Sequence, residues 1–226
     1  MPTTADYTYD LSRVLPLEGL AAVRPGSTLL VSGPALSGTD ELVRELLADG
    51  VRDRQGAIAV TTDGSGTDWI DEIEASTPEF AGHGVATIDC RAGRGRSEQE
   101  LDNGAFYYRV ADPSDLTGIG IGITKCFGRL RGAGVTETRL ALTSLSTMLT
   151  YADGQTTFKF CHVLASRLSS AGFLGAFTID SAAHDEQTMQ VIKQAFDGQV
   201  ELRETDGGRE ARLRGLGAGT GEWTAI

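Results

Sequence analysis

A chain of 226 residues with an apolar share of 40% has the length for one large domain with a buried core. Its net charge of -11 argues against a nucleic-acid-binding face, which needs clustered Lys and Arg. No apolar run reaches the length of a membrane span, and the three cysteines, Cys90, Cys126 and Cys161, are too far apart for a metal-ligand motif, so neither a membrane nor a metal is expected.

The first residues, Met1 to Asp6, lack the basic and apolar regions of a signal peptide, and a cytoplasmic location is expected. Three lysines against seventeen arginines, with the acidic excess, suggest a protein kept soluble in high salt. Residues 1–24 read as a lead-in in which Leu11, Val14, Leu15, Leu17 and Leu20 make one short amphipathic face. Arg24-Pro25-Gly26-Ser27 is a turn, residues 28–32 are a buried strand, and residues 40–47 repeat apolar side chains at helical spacing until Gly50 ends the helix. Residues 57–61 are a second strand, Trp69, Ile70 and Ile73 mark a short helix, and residues 85–88 are a third strand. The polar stretch 90–103, with Arg91, Arg94 and Arg96, is expected to be a solvated loop. Residues 107–110 are a strand, and Asp112-Pro113-Ser114-Asp115 starts a helix over 116–131.

Residues 139–143 are the next strand, 158–168 a helix, 173–179 a strand and 185–196 a helix. Residues 199–204 and 210–214 alternate around Asp206-Gly207-Gly208, a hairpin signal. Strands alternating with helices predict an α/β fold: a mostly parallel twisted sheet with helices on both faces and a C-terminal antiparallel hairpin. Residues 25–226 are expected to form that single domain, with the first loop at the carboxyl edge of the sheet, where such folds place ligands.

That loop is Gly33-Pro34-Ala35-Leu36-Ser37-Gly38, followed by Thr39 and Asp40. Its two glycines have the spacing of a phosphate-binding loop, which continues with Lys and then Ser or Thr. The lysine would neutralise phosphates and the hydroxyl would hold Mg²⁺. Asp40 would instead place a carboxylate about 4 Å from phosphate oxygens, a penalty of order 1–4 kcal/mol. No counterion carrier is expected nearby, and Asp40 is expected to satisfy the helix-start N–H groups itself.

Several segments together resemble the KaiC/RadA-type branch of the RecA-like ATPases. They are Leu17-Glu18-Gly19-Leu20, the run from Arg24 to Gly33, Ala59-Val60-Thr61-Thr62-Asp63, the run from Arg139 to Ser146, and the tail from Arg212 to Trp223. The likeness is to acidic archaeal members of the kind found in halophiles. It implies a RecA-like fold, self-association, and a nucleotide site at Gly33, Ser37, Gly38, Thr39, Asp40, Asp63 and Thr143. The departures fall on the chemistry: Thr39 stands at the lysine position, Asp40 at the Mg²⁺-hydroxyl position and Thr143 at the Walker B aspartate. Asp63 alone remains near the place of the water-activating acid.

Two readings stay open, beside a third and weaker one of DNA binding in the manner of recombinases. One is a non-catalytic regulatory or scaffold domain acting through protein contacts, with no cofactor. The other is an atypical binder of ATP and Mg²⁺ or a slow ATPase. Among the remaining residues, His162 is expected to be a packing residue and Trp69 a core residue. Asp185 is expected to open a helix rather than pair with His184, and Trp223 could anchor an interface. Ser144, Ser146, Ser169 and Ser170 lack the G-x-S-x-G context of a hydrolase.

Overall fold

The computed structural model describes residues 7–77, 82–91, 93, 95–217 and 221–226. Ten strands form one sheet: β1 Thr28–Gly33, β2 Gly56–Thr61, β3 Val85–Asp89, β4 Ser97–Glu100, β5 Phe106–Arg109, β6 Thr138–Thr143, β7 Leu174–Asp180, β8 Gly198–Thr205, β9 Gly208–Gly215 and β10 Thr224–Ala225. Their order is β10-β9-β8-β1-β7-β6-β2-β3-β5-β4. Every pairing from β8 across to β5 is parallel, and antiparallel strands close both edges. Five inner strands, β1, β2, β3, β6 and, but for its last residue, β7, are buried throughout, as a sheet covered on both faces requires.

Helices α1 (Thr39–Arg52) and α2 (Gly66–Ser76) cover one face with the chain before β1. Helices α3 (Leu116–Gly132), α4 (Leu145–Tyr151), α5 (Gly154–Ala171) and α6 (Glu186–Lys193) cover the other. Short polar side chains set the helix starts. Asp115, Ser144, Asp153 and Asp185 each accept a backbone N–H from the first turn of the helix they precede. Asp185 thus opens α6, as its sequence context predicts.

Three expectations need correction, and one helix has no counterpart among the predicted elements. Gly50 lies inside α1 rather than ending it. The stretch 90–103 contains β4, whose fully exposed residues pair with β5, so alternation carried no burial signal there. The sequence gives α4 no helical pattern long enough to read, yet Ser144 caps it. His162 is exposed on α5, stacked on Phe158, rather than packed inside. Trp69 and the three cysteines are buried as expected, and burial raises the pKa of each thiol.

Residues 7–24 form turns and one bridge, Tyr9 to Val23, rather than a helix, and Tyr9, Leu11, Leu15 and Leu20 are fully buried. A buried ion pair holds this segment, α1 and the sheet together. Arg139 on β6 is 1% exposed. Its Nε donates to Gln55 Oε1 at 2.7 Å, its Nη1 to Leu46 O at 2.8 Å and to Asp49 Oδ2 at 3.1 Å, and its Nη2 to Asp10 O at 3.1 Å. Asp49 also pairs with Arg13 Nε at 3.1 Å. Gly50 makes room for this guanidinium: a Cβ there would lie 2.8 Å from Arg139 Cδ and Nε.

Asp49→Ala is expected to destabilise the fold by about 3–5 kcal/mol, because it strands a buried guanidinium. Gly50→Ala is expected to destabilise as well, against the gain of roughly 1 kcal/mol usual for Gly→Ala in a helix. Urea denaturation checks both.

Candidate functional site

The carboxyl ends of the parallel strands bring together Gly33, Asp180, Thr143, Thr61 and Asp89. The loop after β1 starts here, and the Ser181 N–H donates to Gly33 O at 2.9 Å. Leu36 has φ +66°, a left-handed conformation that a branched side chain adopts at a cost, and it is 96% exposed. Gly38, at φ +83°, precedes α1 without capping it through a side chain. Asp40 hydrogen-bonds none of the α1 N–H groups, which corrects the expectation that it would. Ser37 is buried, and its hydroxyl has no hydrogen-bond partner among the described residues.

A counterion does stand at this loop, contrary to the reading of the sequence. Arg209, at the start of β9, lays its guanidinium against Gly38, where a Cβ would meet Cζ at 2.5 Å and Nη2 at 2.6 Å. Its Nη2 donates to Glu41 Oε2 at 3.0 Å. Arg209 and Glu41 are 168 positions apart, and no local pattern links them. The guanidinium is therefore already paired by a carboxylate of α1.

Across β7, Thr143 ends β6 as a buried residue. Thr62 is buried beside it. Its hydroxyl accepts the Ser144 N–H at 2.8 Å and donates to Ser144 O at 3.0 Å, so it serves the backbone rather than a ligand. Asp63, the next residue, is open to solvent on one side. Partial burial and the nearby charge of Asp40 push its carboxyl above the usual range. The structure thus brings Asp63 near Asp40 at the start of α1, where Arg209 holds Glu41. Arg44, which also acts on Asp63, is taken up by Glu72 at 2.7 Å.

Two neighbouring clusters are structural. Ser146 Oγ accepts the Asp180 N–H at 2.9 Å and lies 2.8 Å from His184 Nε2, tying the loop after β7 to α4. Asp185 is occupied as a cap, and among the described residues no carboxylate bonds the other imidazole nitrogen, so the third member of a nucleophilic triad is missing. Beyond β2, Asp89 is buried at the end of β3. Burial works against its charge, but hydrogen bonds from Arg91, Gly66 and Tyr107 hold its pKa below the usual range. Arg91 is bound to Asp89, Arg96 is paired with Asp115, and Arg94 lies outside the described residues. Trp223, read as an interface anchor, is covered within the chain by Arg203 and Arg212, whose guanidinium carbons lie 4.0 and 4.4 Å from its ring.

The folded chain binds the Asp63 proton more tightly than the unfolded chain, so this carboxyl adds stability in acid and loses it as pH rises through its raised pKa. Asp63→Asn should melt higher than the parent near neutral pH and lose that advantage in acid. Asp40→Asn should move the Asp63 titration back toward an ordinary aspartate, read by carboxyl NMR.

The fold has a solved counterpart. The crystal structure of the KaiC-like protein PH0186 from the hyperthermophilic archaeon Pyrococcus horikoshii OT3 superposes with a TM-score of 0.62 at 12% identity, over 92% of this chain and 87% of that one. The likeness bears on fold alone and supports a KaiC/RecA-like architecture. No curated protein matches the chain in sequence. Residues 26–202 match a family of unknown function, DUF7504, and the chain belongs to that family.

Proposed function

We propose that this chain is a non-catalytic RecA-like domain that acts as a regulatory or scaffold protein through protein contacts, with a further copy or with an active relative. In this reading residues 1–24 are the lead-in and 25–226 the domain, in the cytoplasm of a salt-adapted archaeon. The acidic excess and the preference for arginine support that setting. No helix among the described residues is long and apolar enough to cross a membrane.

One observation carries the proposal: three carboxylates, Asp40, Glu41 and Asp63, lie about the start of α1, and the guanidinia beside them, Arg209 and Arg44, are already engaged by Glu41 and Glu72. A triphosphate there would meet net negative charge, at a cost of order 1–4 kcal/mol for each close like-charge contact. The residues present do not fit Mg²⁺-ATP. Thr39 brings no charge to the phosphates, Thr143 brings no carboxylate to a metal, and no group of metal-ligating side chains is found among the described residues. A fold kept without its chemistry is an expected outcome when function resides in the site rather than the scaffold.

Arg209 favours the second reading, an atypical nucleotide binder, because its guanidinium lies against Gly38 and could serve phosphates if Glu41 released it. Thermal melts in high potassium chloride separate the two. The parent should melt unchanged with millimolar Mg-ATP or Mg-ADP, and Thr39→Lys with Asp40→Thr should gain a nucleotide-dependent rise. A parent that rises by several degrees, and loses the rise in Arg209→Ala, would replace the first reading with the second.

A further inference from the structure

Charge is segregated between two pairs of helices on opposite faces of the sheet. Helices α1 and α2 carry eight acidic residues and two arginines, whereas α3 and α5 carry none of the chain's 31 acidic residues and five cations: Lys125, Arg129, Arg131, Lys159 and Arg167. Two of these are matched by the neighbouring strand, since Lys125 pairs with Glu98 and Arg129 with Glu100. Among the described residues Arg131, Lys159 and Arg167 have no carboxylate partner. Unmatched cations on two helices without acidic residues, in a chain at -11, are complementary to an acidic partner.

Between these helices lies an apolar groove. The space of about 450 Å³ between α3 and α5 is lined by Leu116, Gly120, Ile121, Phe160, Val163 and Leu164, and at its end Arg167 Nη1 donates to Thr124 Oγ1 at 3.3 Å. Val163 is 54% exposed and Ile121 39%. A second depression of about 440 Å³ shares Thr124 and Arg167 with the first and continues to Arg131, so the groove follows α3 for roughly 20 Å at 1.5 Å per residue. Lys159, Val163 and Arg167 recur every four residues along α5: Val163 and Arg167 line the groove, and Lys159 stands one turn before them on the same side of the helix.

Gly120 supplies an independent observation. Gly122 in the same helix is needed, because a Cβ there would meet Tyr108 at 2.6 Å. At Gly120 a Cβ would meet nothing within 4 Å. Glycine in mid-helix costs stability relative to alanine, and no packing within the chain requires it here. What its hydrogen atom provides is an open groove floor.

We propose that the groove between α3 and α5 docks an acidic amphipathic helix of a partner protein. Apolar side chains of that helix, three and four positions apart, would fill the floor, and its Asp and Glu residues would meet Lys159, Arg167 and Arg131. An apolar floor suits this occupant better than nucleic acid, whose phosphates would lie over Ile121 and Val163. The inference rests on the reading that the chain works by protein contact. It names the chemistry of the contact.

The test is a selection of displayed random peptides, about four helical turns long, on the full chain, followed by fluorescence anisotropy of the enriched peptide. The selected sequences should carry apolar residues at i, i+3 or i+4, and i+7 with acidic residues between. Binding should fall at least about tenfold in Gly120→Leu and in Lys159→Glu with Arg167→Glu, and weaken with salt. Gly120→Leu should melt at or above the parent, so lost binding there is not lost folding, and Val163→Asp provides a second block at an exposed site. Enriched peptides without acidic residues, or affinity unchanged in Gly120→Leu and Val163→Asp, would overturn the proposal. Sedimentation showing a dimer that Gly120→Leu dissolves would give the groove to a second copy, and duplex DNA displacing the peptide would give it to nucleic acid; either overturns it. Failure here with nucleotide-insensitive melts would leave the non-catalytic reading standing, whereas a nucleotide-dependent melt would remove that reading whatever the peptide does.

Discussion

The buried pair Arg139–Asp49 is the constraint on which the arrangement of the molecule depends. A guanidinium taken out of water is tolerable only when its donors are met, and here four acceptors from three separate segments meet them. Gln55 and Leu46 bracket the end of α1, Asp49 supplies the charge, and Asp10 brings in the chain before the first strand. Gly50 lets the helix approach closely enough for this. The position of α1 against β6 is thereby fixed, and the start of α1 is the floor of the candidate site.

In the proposed reading that site combines a RecA-like scaffold with a charge pattern unsuited to the ligand its outline suggests. The loop after β1 reaches the carboxyl edge, Gly38 takes the left-handed turn, and α1 follows directly. Carboxylates nonetheless gather there, and Arg209, whose guanidinium reaches the loop, arrives already paired. In the proposed reading the RecA-like framework carries surfaces rather than chemistry, which shifts attention from the sheet edge to the helical faces.

Those faces differ in kind. One is acidic and built on the core of α1, α2 and the N-terminal segment; on the other, α3 and α5 carry no acidic residue and are parted by an apolar groove. The strong net charge keeps the chain apart from other acidic surfaces, so the exception on α3 and α5 stands out as a place where another molecule can approach without repulsion. The glycines of α3 divide the same way, some closing against Tyr108 and Asp115 and others facing open space.

The sequence by itself determined the α/β order, the parallel sheet, the C-terminal hairpin and the loop from Gly33 to Asp40, because periodicity, turn residues and glycine spacing are local signals. Helix starts at Asp115 and Asp185 were legible for the same reason: an aspartate cap acts within one turn. β4 was not legible, since an exposed edge strand has no buried alternation to display, and α4 was too short for a period to show. Only the tertiary structure decided that Arg139 lies buried on Asp49, that Gly50 serves it from inside a helix, and that Arg209 reaches Gly38 from the far end of the chain. It likewise decided which cations remain unmatched on α3 and α5. Pairing of charges is a matter of distance in space, and a chain read in order holds no record of which side chains folding will bring within a few ångströms.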